Sequence, residues 1–271
     1  MRHITAAAFA TLLGAAPADA QTLPDHSLFT AILQDHVDGP LVDYAAVRTD
    51  RQRLELYLDR LGRTSPTALD LADRDARLAF WINAYNACAL KLVIDHYPIG
   101  QRGGVAGVVN RIAGVPANSI RQIPDTWERT FCRVAQEDRS LDGIEHGVIR
   151  PLGDPRIHFA VNCASRSCPD LADHAYTADS LQTQLDRAVR RFVADARHYQ
   201  LETDGAAVVR LNKVLDWYKD DFNGTAGVLE LLGRYVPEVD ARVLNSGRVR
   251  VEYLEYDWTL NDTAVFGAAG S

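Results

Sequence analysis

Residues 157–171 read Ile-His-Phe-Ala-Val-Asn-Cys-Ala-Ser-Arg-Ser-Cys-Pro-Asp-Leu, a run that brings a histidine, an asparagine and two cysteines together. A cysteine acts as a nucleophile only as its thiolate, which needs a nearby base or cation to form and a donor to hold the developing oxyanion. Cys163 and Cys168 are the candidate nucleophiles. His158 and His146, with His174 as a further choice, are the candidate bases, and Glu145 or Asp257 would orient them. Asn162, Asn83 and Asn86 are the candidate amide donors, and Tyr256 with Asp257 would complete a substrate-binding wall. That set suits a thiol-dependent hydrolase or transferase acting on an amide or ester bond. The apolar residues Ile157, Phe159 and Val161 alternate with His158, Ala160 and Asn162, which predicts a strand. Such a strand would turn His158 away from Cys163, so His158 would pair with Cys168 unless the strand breaks at Asn162. Ala164, Ser165, Ser167 and Pro169 predict a turn-rich loop after it.

The four cysteines, Cys88, Cys132, Cys163 and Cys168, allow none, one or two disulfides, and two bonds in three arrangements. Cys163 and Cys168 lie close enough in a turn-rich loop to be bonded. The protein would then be a non-catalytic ligand- or protein-binding module with a structural Cys163–Cys168 disulfide. Cys88 sits among apolar neighbours and reads as an inert buried thiol. His146, His158, Cys163 and Cys168 have ligand types suited to zinc, but their spacing matches no standard zinc module, so neither a metal nor a cofactor is expected.

These residues need a scaffold. Residues 73–96 are apolar on nearly every side, as in a helix buried all round, and Asn83 and Asn86 stand on one face of it three positions apart. Buried amides must find partners, either on the backbone of a neighbouring loop or in a pocket wall. Amphipathic helices are predicted near 28–37, 51–61, 179–196 and 227–235, and strands at 208–211 and 249–253. Ser140 is placed to cap a helix containing the adjacent Glu145 and His146, which would face different neighbours. The glycine-rich stretch 98–116 predicts a mobile loop carrying a short helix, and 127–134 an extended piece. One α+β domain is expected, mostly helical, with a small antiparallel or mixed sheet.

Residues 1–20 have the pattern of a secretory signal peptide: Arg2 and His3, an apolar run, then Ala18-Asp19-Ala20 as a small-x-small cleavage site. The remaining 21–271 would be a periplasmic or secreted protein, and no later stretch is long and apolar enough to be a transmembrane segment. The net charge of −7 and the lack of a basic run argue against nucleic acid. A small molecule, a peptide or a cell-envelope component is left as the partner.

In order along the chain, Val42-Asp-Tyr44, Ala79-Phe-Trp-Ile-Asn-Ala-Tyr-Asn-Ala87, residues 141–150, 158–169, 216–222 and 256–261 resemble the family known as domain of unknown function 547. The resemblance covers nearly all of residues 21–271. It implies a single domain of the kind found in exported bacterial proteins, and it carries over no catalytic residues. A distant likeness to papain-like and transglutaminase-like hydrolases lies in the order of a buried helix, a histidine and then an acid. Those enzymes place a cysteine at the start of the helix, and residues 77–80 contain none.

Overall fold

The longest element is the helix Arg74–His96. Asp73 caps it, its carboxylate accepting the Ala76 amide at 2.7 Å. Every residue from 78 to 94 except Lys91 is buried, as the all-round apolar pattern requires. The structure, a computed structural model, describes residues 22–100 and 103–267. The signal peptide read over residues 1–20 lies outside the described residues.

In chain order the helix is preceded by α1 (Ser27–His36), β1 (Val37–Asp38), β2 (Leu41–Val42), α2 (Tyr44–Thr49), α3 (Arg51–Arg63) and α4 (Pro66–Leu71), and is itself α5. Next come α6 (Gly104–Ile112), the hairpin of β3 (Cys132–Val134) and β4 (Glu137–Arg139), and α7 (Leu141–Ile144). α7 runs into a π-helical turn, Glu145–Ile149, and a 3₁₀ helix follows at Pro155–Phe159. The chain continues through α8 (Leu181–Val193), β5 (Tyr199–Glu202), β6 (Val208–Leu211), α9 (Val214–Trp217), α10 (Gly224–Gly233), α11 (Glu238–Leu244), β7 (Arg250–Tyr253) and α12 (Thr263–Phe266). β6 lies between β5 and β7, antiparallel to β5 with Tyr199 opposite Leu211, and parallel to β7 with Leu211 opposite Tyr253. The protein is therefore a mostly helical α+β domain with a small mixed sheet.

Two apolar clusters hold it together. The larger surrounds α5 and draws in Phe29, Leu54 and Tyr57 from α1 and α3. The smaller packs Phe192 of α8 and Leu232 of α10 against Val209 and Leu211 of β6.

Three expectations need correction. Residues 157–161 do not form a strand. Pro155 opens a 3₁₀ helix capped by Asp154, whose carboxylate accepts the Arg156 amide at 3.0 Å. The apolar alternation has a different cause: Ile157 enters the larger cluster and Phe159 the smaller, so the segment is buried on two sides without being extended. Cys88 is not an inert thiol. It stands in disulfide linkage with Cys132, Cα to Cα 5.9 Å, and ties α5 to β3. Its apolar neighbours gave no hint of a partner 44 residues away. Third, among residues 127–134 only Cys132–Val134 is strand. The glycine-rich stretch does carry a short helix, Gly104–Ile112, with Val105, Val108, Val109 and Ile112 at helical spacing on an exposed face.

Candidate functional site

A cavity of about 250 Å³ brings together Glu145, His158, Cys163, Cys168 and Tyr256 from the candidate residues. α5 contributes Tyr85, α7 contributes Asp142, and the π-helical turn contributes Glu145. His158 enters from the 3₁₀ helix, and Cys163 and Cys168 from the loop after it. Trp217 at the end of α9, Tyr218, Trp127, Tyr256 and Trp258 form the aromatic walls. A larger groove of about 490 Å³ runs past α3 and β3 and holds none of the candidate site residues.

His158 is fixed from two sides. Its Nε2 lies 2.7 Å from Asp221 Oδ2, and its ring stacks on Tyr218 with centroids 4.0 Å apart. Arg150 holds the other side of Asp221 in a bidentate pair, with Nε and Nη2 each donating at 2.7 Å. Those bonds, Arg150 first, draw the Asp221 carboxyl down to about 2. Burial pushes His158 down to about 4, against the opposing pull of Asp221. At neutral pH the imidazole is therefore uncharged and donates Nε2–H to Asp221. Its Nδ1 is then a lone-pair acceptor, buried and without a hydrogen-bond partner among the described residues. The sequence offered Glu145 and Asp257 as orienters. The structure puts Asp221 in that place, from a turn 63 residues further along. Asp257 is exposed, and its Oδ1 accepts the Thr259 amide at 2.9 Å.

Glu145 is buried. Burial raises its carboxyl above the ordinary value, against hydrogen bonds from the Tyr218 and Tyr85 hydroxyls. His146 points elsewhere, as adjacent helical residues must: its Nδ1 is 2.9 Å from Arg150 Nη1, and the side chain is largely exposed. His174 is outside the cavity, with Nδ1 2.7 Å from Asp173.

Cys163 and Cys168 are paired in disulfide linkage, Cα to Cα 5.9 Å, and no cysteine among the described residues is free. Around the Cys163 Sγ stand the Tyr256 hydroxyl at 3.2 Å and the Ser165 hydroxyl at 3.3 Å. The C-terminal segment clamps this loop through backbone bonds, Arg166 N to Thr259 O at 2.7 Å and Ser167 N to Asp257 O at 3.2 Å. Asp257 thus serves the loop by its main chain. Among the described residues, no group of three or more His, Cys, Asp or Glu is arranged to hold a metal ion.

The three asparagines hold backbone. Asn83 donates to Tyr176 O and accepts from Tyr176 N, both at 2.8 Å. Asn86 donates to Ala160 O at 3.0 Å and accepts from Asn162 N at 2.9 Å. Asn162 in turn donates to Pro169 O at 2.8 Å and accepts from Ala164 N at 2.9 Å, folding the cysteine loop onto itself. None of the three lines the cavity. Asn86→Ala would leave a buried carbonyl and a buried amide unpaired, an expected loss of about 2–4 kcal/mol by urea unfolding. A loss below about 1 kcal/mol would mean that the clamp is dispensable.

Residues 69–193 match the model of the family described as "Protein of unknown function, DUF547". The matched segment spans α5, the Glu145 turn, His158 and both loop cysteines, and over it the chain is similar to that family, as the sequence motifs had suggested. Asp221, Trp217, Tyr256 and Trp258 lie beyond it. No curated protein and no solved structure matches the chain.

Proposed function

We propose that the cavity is the active site of an exported thiol-dependent hydrolase or transferase acting on an amide or ester bond, with Cys163 as the nucleophile held at rest in its bond to Cys168. The observation that carries this reading is the Asp221-oriented imidazole of His158 lining the same cavity as Cys163. The paired cysteines fit an oxidising compartment, and no helix among the described residues is long and apolar enough to cross a membrane.

A dithiol reductant would first release both cysteines as thiols and be oxidised to its own disulfide. Cys163 Sγ then attacks the substrate carbonyl carbon as its proton passes to His158 Nδ1. The imidazolium returns that proton to the leaving amine or alkoxide as its bond to carbon breaks. Water, or an acceptor amine in a transferase, deprotonated by the same imidazole, cleaves the thioester. A histidine with so low a pKa does not hold a preformed ion pair with the thiolate, so proton transfer accompanies attack. The Tyr256 hydroxyl is the nearest donor for charge building at the sulfur.

The test uses the reduced full chain and p-nitrophenyl acetate. The expected result is a burst of nitrophenol of one equivalent in the wild type, lost in Cys163→Ser and about 100-fold slower in His158→Ala. Cys168→Ser should react without added reductant. An unchanged burst after replacing both cysteines by serine, or no burst in the reduced wild type, defeats the proposal.

A second reading has its own support. With Cys163 and Cys168 bonded and the Cys163 amide 2.7 Å from the Cys168 sulfur, the loop is a braced wall, and the domain would bind a small molecule, peptide or envelope component without covalent chemistry. Resistance of this bond to mild reductant would favour it.

A further inference from the structure

The cavity walls are unusual in what they combine. Three tryptophans and three tyrosines border it together with the carboxylates of Asp142 and Glu145, and neither lysine nor arginine lines it. Aromatic faces carry negative quadrupole charge, and a desolvated cation beside them is attracted more strongly than one in water. We infer that this cavity binds the ammonium group of an organic cation, a methylated ammonium being best matched because the walls offer ring faces more than hydrogen-bond acceptors. The inference rests on the cavity being the functional site proposed above and names the class of molecule it takes.

The resting protein already uses its rings in this way. The Arg121 guanidinium lies 5.1 Å from the Trp258 ring centre, and Arg150 lies 5.4 Å from that of Tyr218. Neither cancels the acidity of the cavity. Arg150 is bonded to Asp221, and Arg121 is exposed and screened by solvent. Trp127, Trp217 and Tyr256 have no cation over them among the described residues, and Trp217, which packs against Tyr256 and Trp258, is still 46% exposed. Glu145 adds a buried carboxylate held by the neutral hydroxyls of Tyr85 and Tyr218, and the cations that act on it, His146 and Arg150, do so through space and from outside the cavity lining. An ammonium group supplies a countercharge within the cavity. A neutral sugar would also stack on the rings, but it would leave that carboxylate as it is.

Three of the four tryptophans border the cavity, so their fluorescence reports its occupancy. The full chain, kept oxidised, is titrated with choline and with dimethylbutanol, its neutral carbon isostere. The expected result is a saturable change with choline at a dissociation constant at least about tenfold below that of the isostere. Glu145→Gln should weaken choline by about tenfold and leave the isostere unchanged. Trp217→Ala, at a half-exposed position, should weaken choline as well. Equal affinity for the two probes, no saturable change, or binding of glucose in place of choline would overturn the inference. Because the titration needs no free thiol, a failed burst assay leaves it untouched, and an absence of choline binding leaves the thiol chemistry untouched.

Discussion

Replacing Cys88 and Cys132 together by alanine is expected to lower the unfolding free energy by about 4 kcal/mol and the melting temperature by about 10 °C. The pair closes a loop of 44 residues, and on chain entropy alone such a link removes about 4 kcal/mol of freedom from the unfolded state. Both side chains are buried in the larger cluster, so the link also fixes where β3 lies on α5. The double variant is preferable to either single one, because a lone thiol left behind would be free to exchange with Cys163. The second bond gives the comparison. Cys163 and Cys168 are separated by 5 residues, and removing their link should cost only about 2 kcal/mol on the same reasoning. Calorimetry of the two double variants would show this order. The reverse order would mean that the cysteine loop is the principal staple of the fold.

Acid is expected to unfold the protein in a window set by histidines. His26, His158 and His198 are each pushed by burial from 6.5 down to about 4. In each case the folded state resists a proton that the unfolded chain accepts, so stability is complete above pH 6.5 and is lost as pH falls towards 4. Each shift is worth on the order of 3 kcal/mol. Glu145 and Asp142 act in the opposite direction, since burial raises both carboxyls, favours their protonated folded form and gives up stability as pH rises. The three imidazoles together withdraw on the order of 9 kcal/mol between pH 6.5 and 4, and the raised carboxyls of Glu145 and Asp142 return part of it. The lowered carboxylates of Asp154, Asp186 and Asp221 lose their contribution only below 3.8, so the two windows are separable. Urea unfolding at neutral pH and at several points down to pH 4 measures this. A flat profile across the window would show that these imidazoles charge without cost in the native state.

Much of this was legible in the sequence because it is local. The all-round apolar run of α5 and the Ser140 cap follow from periodicity and side-chain chemistry within a few residues. So does the gathering of His158, Glu145, Cys163 and Cys168 near one another, since all lie within or beside one short stretch of chain. What the sequence hid is relational. Asp221 looked like one acid among several in a polar segment, and only folding brings it to His158. The amides of Asn83 and Asn86 looked equally suited to a pocket wall or to a backbone clamp. The outcome depended on where the carbonyls of Tyr176 and Ala160 arrive. The false strand at 157–161 came from reading two-sided burial as extended geometry.

The 3₁₀ helix that carries His158 sends Ile157 into one apolar cluster and Phe159 into the other. The imidazole is thus positioned jointly by two separately packed masses, and neither alone determines where it points. Drift in one cluster displaces the ring unless the other yields in step. Substitutions near Leu78 and near Leu232, residues that never meet, should therefore have correlated histories among related chains, and the signature of selection on this site is to be sought in the two interiors as much as in the cavity itself.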